Sequence, residues 1–201
     1  MDLKNSLNPA QFEAAKHVDG PLLILAGAGS GKTRVLTYRI AHLIDSIGLD
    51  PQQILALTFT NKAAKEMQGR IGSLLSFGRA PAWAGTFHSI SARILRSEAA
   101  NFGLERNFVI YDSDDQLALI KRVMKELNVS DKQFAPQAVR SYISGAKDQL
   151  LDAEEYGSRN NNFFEQKVAS IYAGYEKALT NNNALDFDDL IMQMVVGLEQ
   201  V

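Results

Sequence analysis

Leu22-Leu23-Ile24-Leu25-Ala26-Gly27-Ala28-Gly29-Ser30-Gly31-Lys32-Thr33 is the stretch on which the whole reading turns. The aliphatic run Leu22 to Leu25 has the length and composition of a short buried strand. It leads into a glycine-rich loop ending in Gly31-Lys32-Thr33, and from Arg34 the apolar residues recur at helical spacing. Strand, glycine loop, Gly-Lys-Thr and helix make a P-loop, the arrangement that grips a nucleoside triphosphate. Glycines let the backbone curl so that several N–H groups converge on phosphate oxygens, and the helix N-terminus adds a partial positive charge. In this reading Ala26, Gly27, Ala28, Gly29, Ser30 and Gly31 form the cradle. Lys32 neutralises the outer phosphates, and the Thr33 hydroxyl binds Mg²⁺. The strict pattern has glycine where this chain has Ala26, but the glycines at 27 and 29 keep the loop permissive. A plain glycine turn would explain neither Lys32 nor Thr33.

On the N-terminal side, Asn8 is a good N-cap, Pro9 suits the first helical position, and Gln11 falls where a capping box places its third residue. Gly20-Pro21 then turns the chain into the expected strand. On the C-terminal side, Leu36, Ile40, Leu43, Ile44 and Ile47 form one apolar stripe of a helix over 33–47 that Gly48 stops. Ile54 to Phe59 reads as a second strand. Thr60-Asn61 caps a helix through Leu75. Ala82 to Phe87 reads as a third strand, followed by a helix from His88-Ser89. Three strand–helix units in succession imply an α/β domain with a parallel sheet covered on both faces. Ligands of such sheets sit at the carboxyl ends of the strands. The stretches 26–33, 58–62 and 86–89 all fall at such ends.

After about residue 105 the pattern is helical. Asn107 to Tyr111 is a short apolar run, Ser113-Asp114-Asp115-Gln116 reads as a capping box, and Pro136 starts a helix through Ala146. A long helix is expected over Phe163 to Leu179 and a last one from Asp186-Phe187-Asp188-Asp189. The Asn160 to Asn162 and Asn181 to Asn183 runs read as loops. No turn-rich linker precedes this half, which reads as an insertion.

The chain has 201 residues and no cysteine, so a disulfide framework or thiolate metal site is excluded. No apolar run is long enough to span a membrane and the N-terminus is not a signal peptide, so a cytoplasmic protein is expected. The net charge of −2 divides into +4 over residues 1–100 and −6 over residues 101–201. This asymmetry suggests two units with different surfaces. In Thr58-Phe59-Thr60-Asn61-Lys62, backbone N–H groups, hydroxyls and Lys62 suit a phosphodiester backbone, and Phe59 suits stacking on a base. The same residues also fit an ordinary capped helix with a core Phe. Thr86-Phe87-His88-Ser89 has the same two readings. No second His or carboxylate lies near His88, and His17 and His42 read as structural.

Leu7 to Gln11, Ala26 to Arg34, Thr58 to Ala64, Thr86 to Ser89 and Leu185 to Leu190 occur in an order and spacing that resembles the amino-terminal part of the UvrD/Rep/PcrA helicases of superfamily 1A, closest to the PcrA/UvrD branch. The resemblance covers essentially the whole chain. It implies a RecA-like domain 1A, begun by residues 1–90, with an all-helical insertion 1B over 91–185 and a return to 1A over 186–201. It implies ATP and Mg²⁺ as cofactors, with Gln11 reading adenine and Arg34 beside it. Single-stranded DNA and single/double-strand junctions are the implied partners. Thr58, Phe59, Thr60, Asn61, Lys62, Thr86, His88 and Ser89 are the implied contacts. The implied whole-protein activity is an ATP-driven 3′→5′ DNA translocase or helicase in replication or repair. Such enzymes also need an Asp-Glu pair on a later strand, which these residues lack, so the chain alone is expected not to turn over ATP. A kinase-like P-loop enzyme and a nucleotide-gated binding module are the alternative readings.

Overall fold

The computed structural model describes residues 3–27, 29–76, 78, 80–159 and 162–199. The fold is mixed α/β, mostly helical, with small parallel sheets. The chain divides into two compact units, Met1–Ile90 and Ser91–Val201.

In the first unit, α1 (Leu3–Ser6) and α2 (Pro9–Lys16) precede the glycine loop. Asn8 Oδ1 accepts the Gln11 N–H at 2.9 Å and Gln11 Oε1 accepts the Asn8 N–H at 3.2 Å, the capping box that the spacing predicts. Leu3, Leu7, Ala15 and Val35 form a small core that seats α2 on α3 (Lys32–Asp45). The Arg39 guanidinium adds a bond to the Ala14 carbonyl at 3.4 Å. Gly48, at φ +83°, ends the α3 region and returns its N–H to the Ile44 carbonyl.

Strands β1 (Leu55–Thr58) and β2 (Trp83–Thr86) pair in parallel, with Leu55 opposite Trp83 and Thr58 opposite Thr86. The crossover between them is α4 (Asn61–Leu74), capped by the Thr60 hydroxyl. Ile40, Ala41 and Ile44 of α3 meet Ala56, Met67, Ile71 and Ala84 in the unit's main core.

One expectation fails here. Residues 21–27 carry no regular secondary structure, and Leu23 and Leu25 are 82% and 87% exposed. The run Leu22 to Leu25 is therefore not a buried strand, and the first unit's sheet has two strands among the described residues, not three. An aliphatic run has the propensity for a strand, but a strand exists only through ladder bonds to a neighbour. Among the described residues no strand pairs with residues 22–25.

In the second unit, β3 (Val109–Tyr111) pairs in parallel with β4 (Ala184–Asp186). The sequence shows the first as an apolar run and gives no sign of the second, so the stretch 91–185 is not all helical as expected: it holds β3 and most of β4, because two short stretches far apart in sequence complete each other's ladder. Between them lie α6 (Ser113–Glu126), α7 (Pro136–Asp148), α8 (Ala153–Arg159) and α9 (Phe163–Asn181). Their core is built on Ile120, Val123, Met124, Val139, Ile143, Val168, Ile171, Tyr172 and Tyr175. A smaller core joins Leu95 of α5 (Phe87–Ser97), Phe108 and Leu185 to Leu190 and Met194 of α10 (Phe187–Leu198).

Two local expectations shift. The capping box of α6 is Asp112 with Asp115, one residue earlier than Ser113, because the extended Asp112 offers a carboxylate to two N–H groups at once. Asn181 closes α9 as a helical residue, and only Asn182 and Asn183 form the turn. Asn162 caps α9, while Asn160 and Asn161 lie outside the described residues. Among the described residues no helix is long and apolar enough to cross a membrane.

Lys147 of α7 is buried at the junction of α7, α9 and α10. Its ammonium donates to Asp189 Oδ1 at 2.6 Å and Asp186 Oδ2 at 2.9 Å, and lies 2.8 Å from Glu176 Oε1 at an angle that makes no hydrogen bond. Tyr175 donates its hydroxyl to Asp186 Oδ2 at 2.8 Å, and Asp186 and Asp189 also form the capping box of α10. Three carboxylates share one cation, with Lys147, Asp186 and Asp189 buried and Glu176 partly exposed. Burial pushes the Asp189 carboxyl up, to about 7, against the pull of Lys147. Burial raises Glu176 as well. Asp186 is also penalised by burial, but Lys147 and its hydrogen bonds hold it below the ordinary value. Burial alone would lower Lys147, yet Asp189, Asp186 and Glu176 raise it.

Removing the cation strands three carboxylates. Lys147→Met is expected to destabilise the chain by about 3–5 kcal/mol, read from urea unfolding, and an unchanged midpoint would refute that role. A pH dependence is expected too. Between the ordinary carboxylate value and about 7, folded Asp189 keeps a proton that the unfolded chain releases, so its contribution to stability falls as pH rises through that window. Glu176, also raised, acts in the same direction above its ordinary value, whereas Asp186 acts only below its own and Lys147 only above its own. The difference in unfolding free energy between wild type and Asp189→Asn is therefore expected to change from pH 4 to pH 7, and a flat difference would exclude the titration.

Candidate functional site

The phosphate-type loop and the carboxyl ends of β1 and β2 all lie in the first unit. The loop is exposed from Ala26 to Ser30 in its described residues, with Ala28 outside them. Gly29 and Gly31 have φ of +75° and +90°, left-handed values that a side chain resists. At Gly31 a Cβ would also lie 2.8 Å from Gln11 Nε2, so a side chain there would displace the Gln11 amide. The Gly27 carbonyl accepts the Ser30 N–H at 3.3 Å and the Ser30 hydroxyl at 2.7 Å. Helix α3 begins at Lys32 with no side-chain cap, so its leading N–H groups have no side-chain acceptor. A bare N-terminus on a 14-residue helix behind left-handed glycines suits an anion.

Lys32 supports this. Its ammonium donates to the Ala26 and Gly27 carbonyls, both at 2.8 Å, so the cation lies on the loop it is expected to serve. Thr33 and Arg34 are exposed on the first turn of α3, and the Arg34 guanidinium lies 5.7 Å above the Tyr38 ring. Gln11 reaches the loop from α2 and donates to the Ser30 carbonyl at 3.0 Å. Among the described residues no group of three His, Asp or Glu could hold a metal ion. A Mg²⁺ at Thr33 would therefore take most of its ligands from phosphate and water, which is the ion's usual habit.

At the strand ends, the register that sets Thr58 opposite Thr86 also brings the next residues together. The Phe59 and Phe87 rings are 5.3 Å apart and tilted by 42°. Phe59 is 87% exposed, so it is not the core residue that an ordinary capped helix would require. Asn61 and Lys62 are exposed on the first turn of α4. The Thr60 hydroxyl accepts the Ala63 N–H at 3.1 Å and keeps its own O–H to donate. Thr58 is half-buried. Thr86 is buried: its N–H donates to the Ser89 hydroxyl at 3.0 Å, and its own hydroxyl accepts the Ser89 N–H at 3.1 Å. Thr86 and Ser89 thus close the start of α5, and His88 is exposed between them.

Phe87 is the residue that sequence reasoning left off its contact set. A signal was present, since Thr-Phe ends both strands. Of the other histidines, His42 is buried on α3, and burial and then Lys16 push its imidazole down. A cavity of about 260 Å³ opens in the second unit beside Glu176 and Asp189, over Phe108 and Leu179. No motif in the sequence points to it.

The chain matches the family described as UvrD/REP helicase N-terminal domain over residues 7–201. It is 48% identical to the ATP-dependent DNA helicase PcrA of Bacillus subtilis (strain 168) over 199 residues, which are 99% of this chain and 27% of that protein. The PcrA proteins of Staphylococcus epidermidis (strain ATCC 12228 / FDA PCI 1200) and Staphylococcus aureus (strain NCTC 8325 / PS 47) are 48% and 47% identical with the same coverage. The chain spans about a quarter of the length of these relatives. With a bare helix start behind a glycine loop and five motifs in register, it belongs to the UvrD/Rep helicase N-terminal domain family.

Proposed function

We propose that this chain is the amino-terminal part of an ATP-dependent DNA helicase that moves 3′→5′ on single-stranded DNA. Residues 1–90 begin a RecA-like domain 1A, residues 91–185 form its helical insertion 1B, and residues 186–201 begin the return to 1A. The observation that carries the reading is the exposed Phe59–Phe87 pair at the ends of two in-register parallel strands, in the same unit as a phosphate-type loop. An exposed aromatic pair at the strand ends is available to stack on bases.

The roles divide by chemistry. The N–H groups of the loop from Gly27 to Gly31 and of the start of α3 hold phosphate oxygens. Lys32 leaves the Ala26 and Gly27 carbonyls to neutralise the outer phosphates. Thr33 supplies a hydroxyl to Mg²⁺, and Gln11 and Arg34 face the adenine. Mg²⁺, when bound with nucleotide, offsets charge on the phosphates. Phe59 and Phe87 stack on bases of the strand or of a single/double-strand junction. Thr60, Asn61, Lys62 and His88 meet its backbone, and Thr58, Thr86 and Ser89 hold the two loop ends in place. The chain alone is expected to bind ATP without sustained turnover, because the carboxylates that orient the attacking water are not among its motifs.

Calorimetry with ATP-Mg and anisotropy with a labelled single-stranded oligonucleotide test the reading. Lys32→Ala is expected to weaken ATP at least about tenfold with an unchanged melting midpoint, the loss of one charge-assisted contact. Phe59→Ala is expected to weaken the oligonucleotide by about 1–3 kcal/mol. An oligonucleotide affinity indifferent to Phe59→Ala would remove the base-stacking role, and steady phosphate release by these residues alone would refute the binding-only state.

A further inference from the structure

Both ends of the Gln11 amide are engaged within the chain. Oε1 accepts the Asn8 N–H at 3.2 Å and caps α2, while Nε2 donates to the Ser30 carbonyl at 3.0 Å. The second bond spans 19 residues and lands on the glycine loop one residue before its tightest turn. Gly31 approaches so closely that an added Cβ would lie 2.8 Å from Nε2. The amide is seated against the turn.

The loop has reason to need such a support. Its entry, residues 21–27, has no strand ladder. Its exit is fixed by α3, and Gly29 and Gly31 give it wide freedom between. Convergence of N–H groups on a phosphate costs the entropy of ordering that segment unless something orders it beforehand. Lys32, on α3, holds the Ala26 and Gly27 carbonyls at the start of the loop, and at its far end the Ser30 carbonyl is held from α2 by Gln11. Gln11 itself stands on a helix fixed to α3 by Leu7, Ala15 and Val35 and by the Arg39–Ala14 bond. An amide has two N–H donors and two carbonyl lone pairs, so each end retains capacity for a nucleobase after these bonds are made.

We propose that Gln11 is a positioning residue for the phosphate cradle, holding the Ser30 carbonyl so that the loop is shaped for phosphate whether or not a base is present. The inference rests on the nucleotide site proposed above and goes beyond an adenine contact. It makes one demand that base reading does not: Gln11 must matter to a ligand with no base.

Inorganic tripolyphosphate with Mg²⁺ is that ligand. Its affinity is measured by calorimetry beside that of ATP, for wild type, Gln11→Met and Asn8→Ala, with the melting midpoint of each. Gln11→Met keeps the length and removes the amide; Asn8→Ala loses the helix cap and keeps Gln11. Gln11→Met is expected to weaken tripolyphosphate about three- to tenfold, the range of one hydrogen bond, and Asn8→Ala to leave it within about twofold. Loss of ATP affinity alone in Gln11→Met, with tripolyphosphate unchanged, would overturn the proposal and leave Gln11 a base reader. An equal loss in Asn8→Ala would overturn it in favour of the cap. Wild type that binds neither ligand would instead overturn the nucleotide site itself.

Discussion

Parallel strands cannot be joined by a tight turn, so each needs a crossover that returns the chain to the same edge. In the first unit that crossover is α4, and its consequence is that β1 and β2 end together, with Thr58 opposite Thr86. The residues just past each strand are then forced into one neighbourhood. Two Thr-Phe pairs that lie 28 positions apart in the sequence put their rings 5.3 Å apart. The next two helices are both capped by residues of these stretches, Thr60 for α4 and the Thr86–Ser89 pair for α5. Capping and ligand contact therefore do not compete. The hydroxyls fix the backbone, and the rings and Lys62 remain outside.

The glycine loop obeys a different logic. Its glycines are fitted to left-handed turns, and its helix start is bare, but the Ala26 and Gly27 carbonyls point where Lys32 can reach them. A loop that converges N–H groups must also turn carbonyls somewhere, and those carbonyls attract the nearest cation. An anion has to offer Lys32 more than two neutral acceptors do. A triphosphate does, because hydrogen bonds between charged partners are roughly twice as strong as neutral ones.

Local chemistry was legible in the sequence, and distant chemistry was not. Asn8, Gln11, Gly48, Thr60 and Asp186 each make a capping or stop bond within four residues of themselves, and each such bond is what its position predicts. The run Leu22 to Leu25 misleads because strand identity is a property of pairs. Strand β4 was missed for the same reason in reverse: three residues, Ala184 to Asp186, become a strand only because Val109 to Tyr111 lie beside them. Asp112 displaced Ser113 as a cap by a difference between two good caps that spacing does not resolve. Lys147 carried no signal, since its partners stand 39 and 42 positions away. Ala28 lies outside the described residues.

The charge pattern bears on how this chain would hold a nucleic acid. The second half is acidic, and one of its lysines, Lys147, is spent inside on three carboxylates. A surface of that sign repels a polyanion at long range, so attraction has to be local. Near the strand ends of the first unit Lys62 is an exposed cation, and two aromatic faces are available. Each phosphate contact adds affinity that salt weakens. Stacking adds a comparable amount for each base, tolerates any sequence, and is not screened by salt. A strand held this way is gripped by its bases more than by its backbone. That suits the translocation proposed above, in which the strand is released and taken up again along an arbitrary sequence.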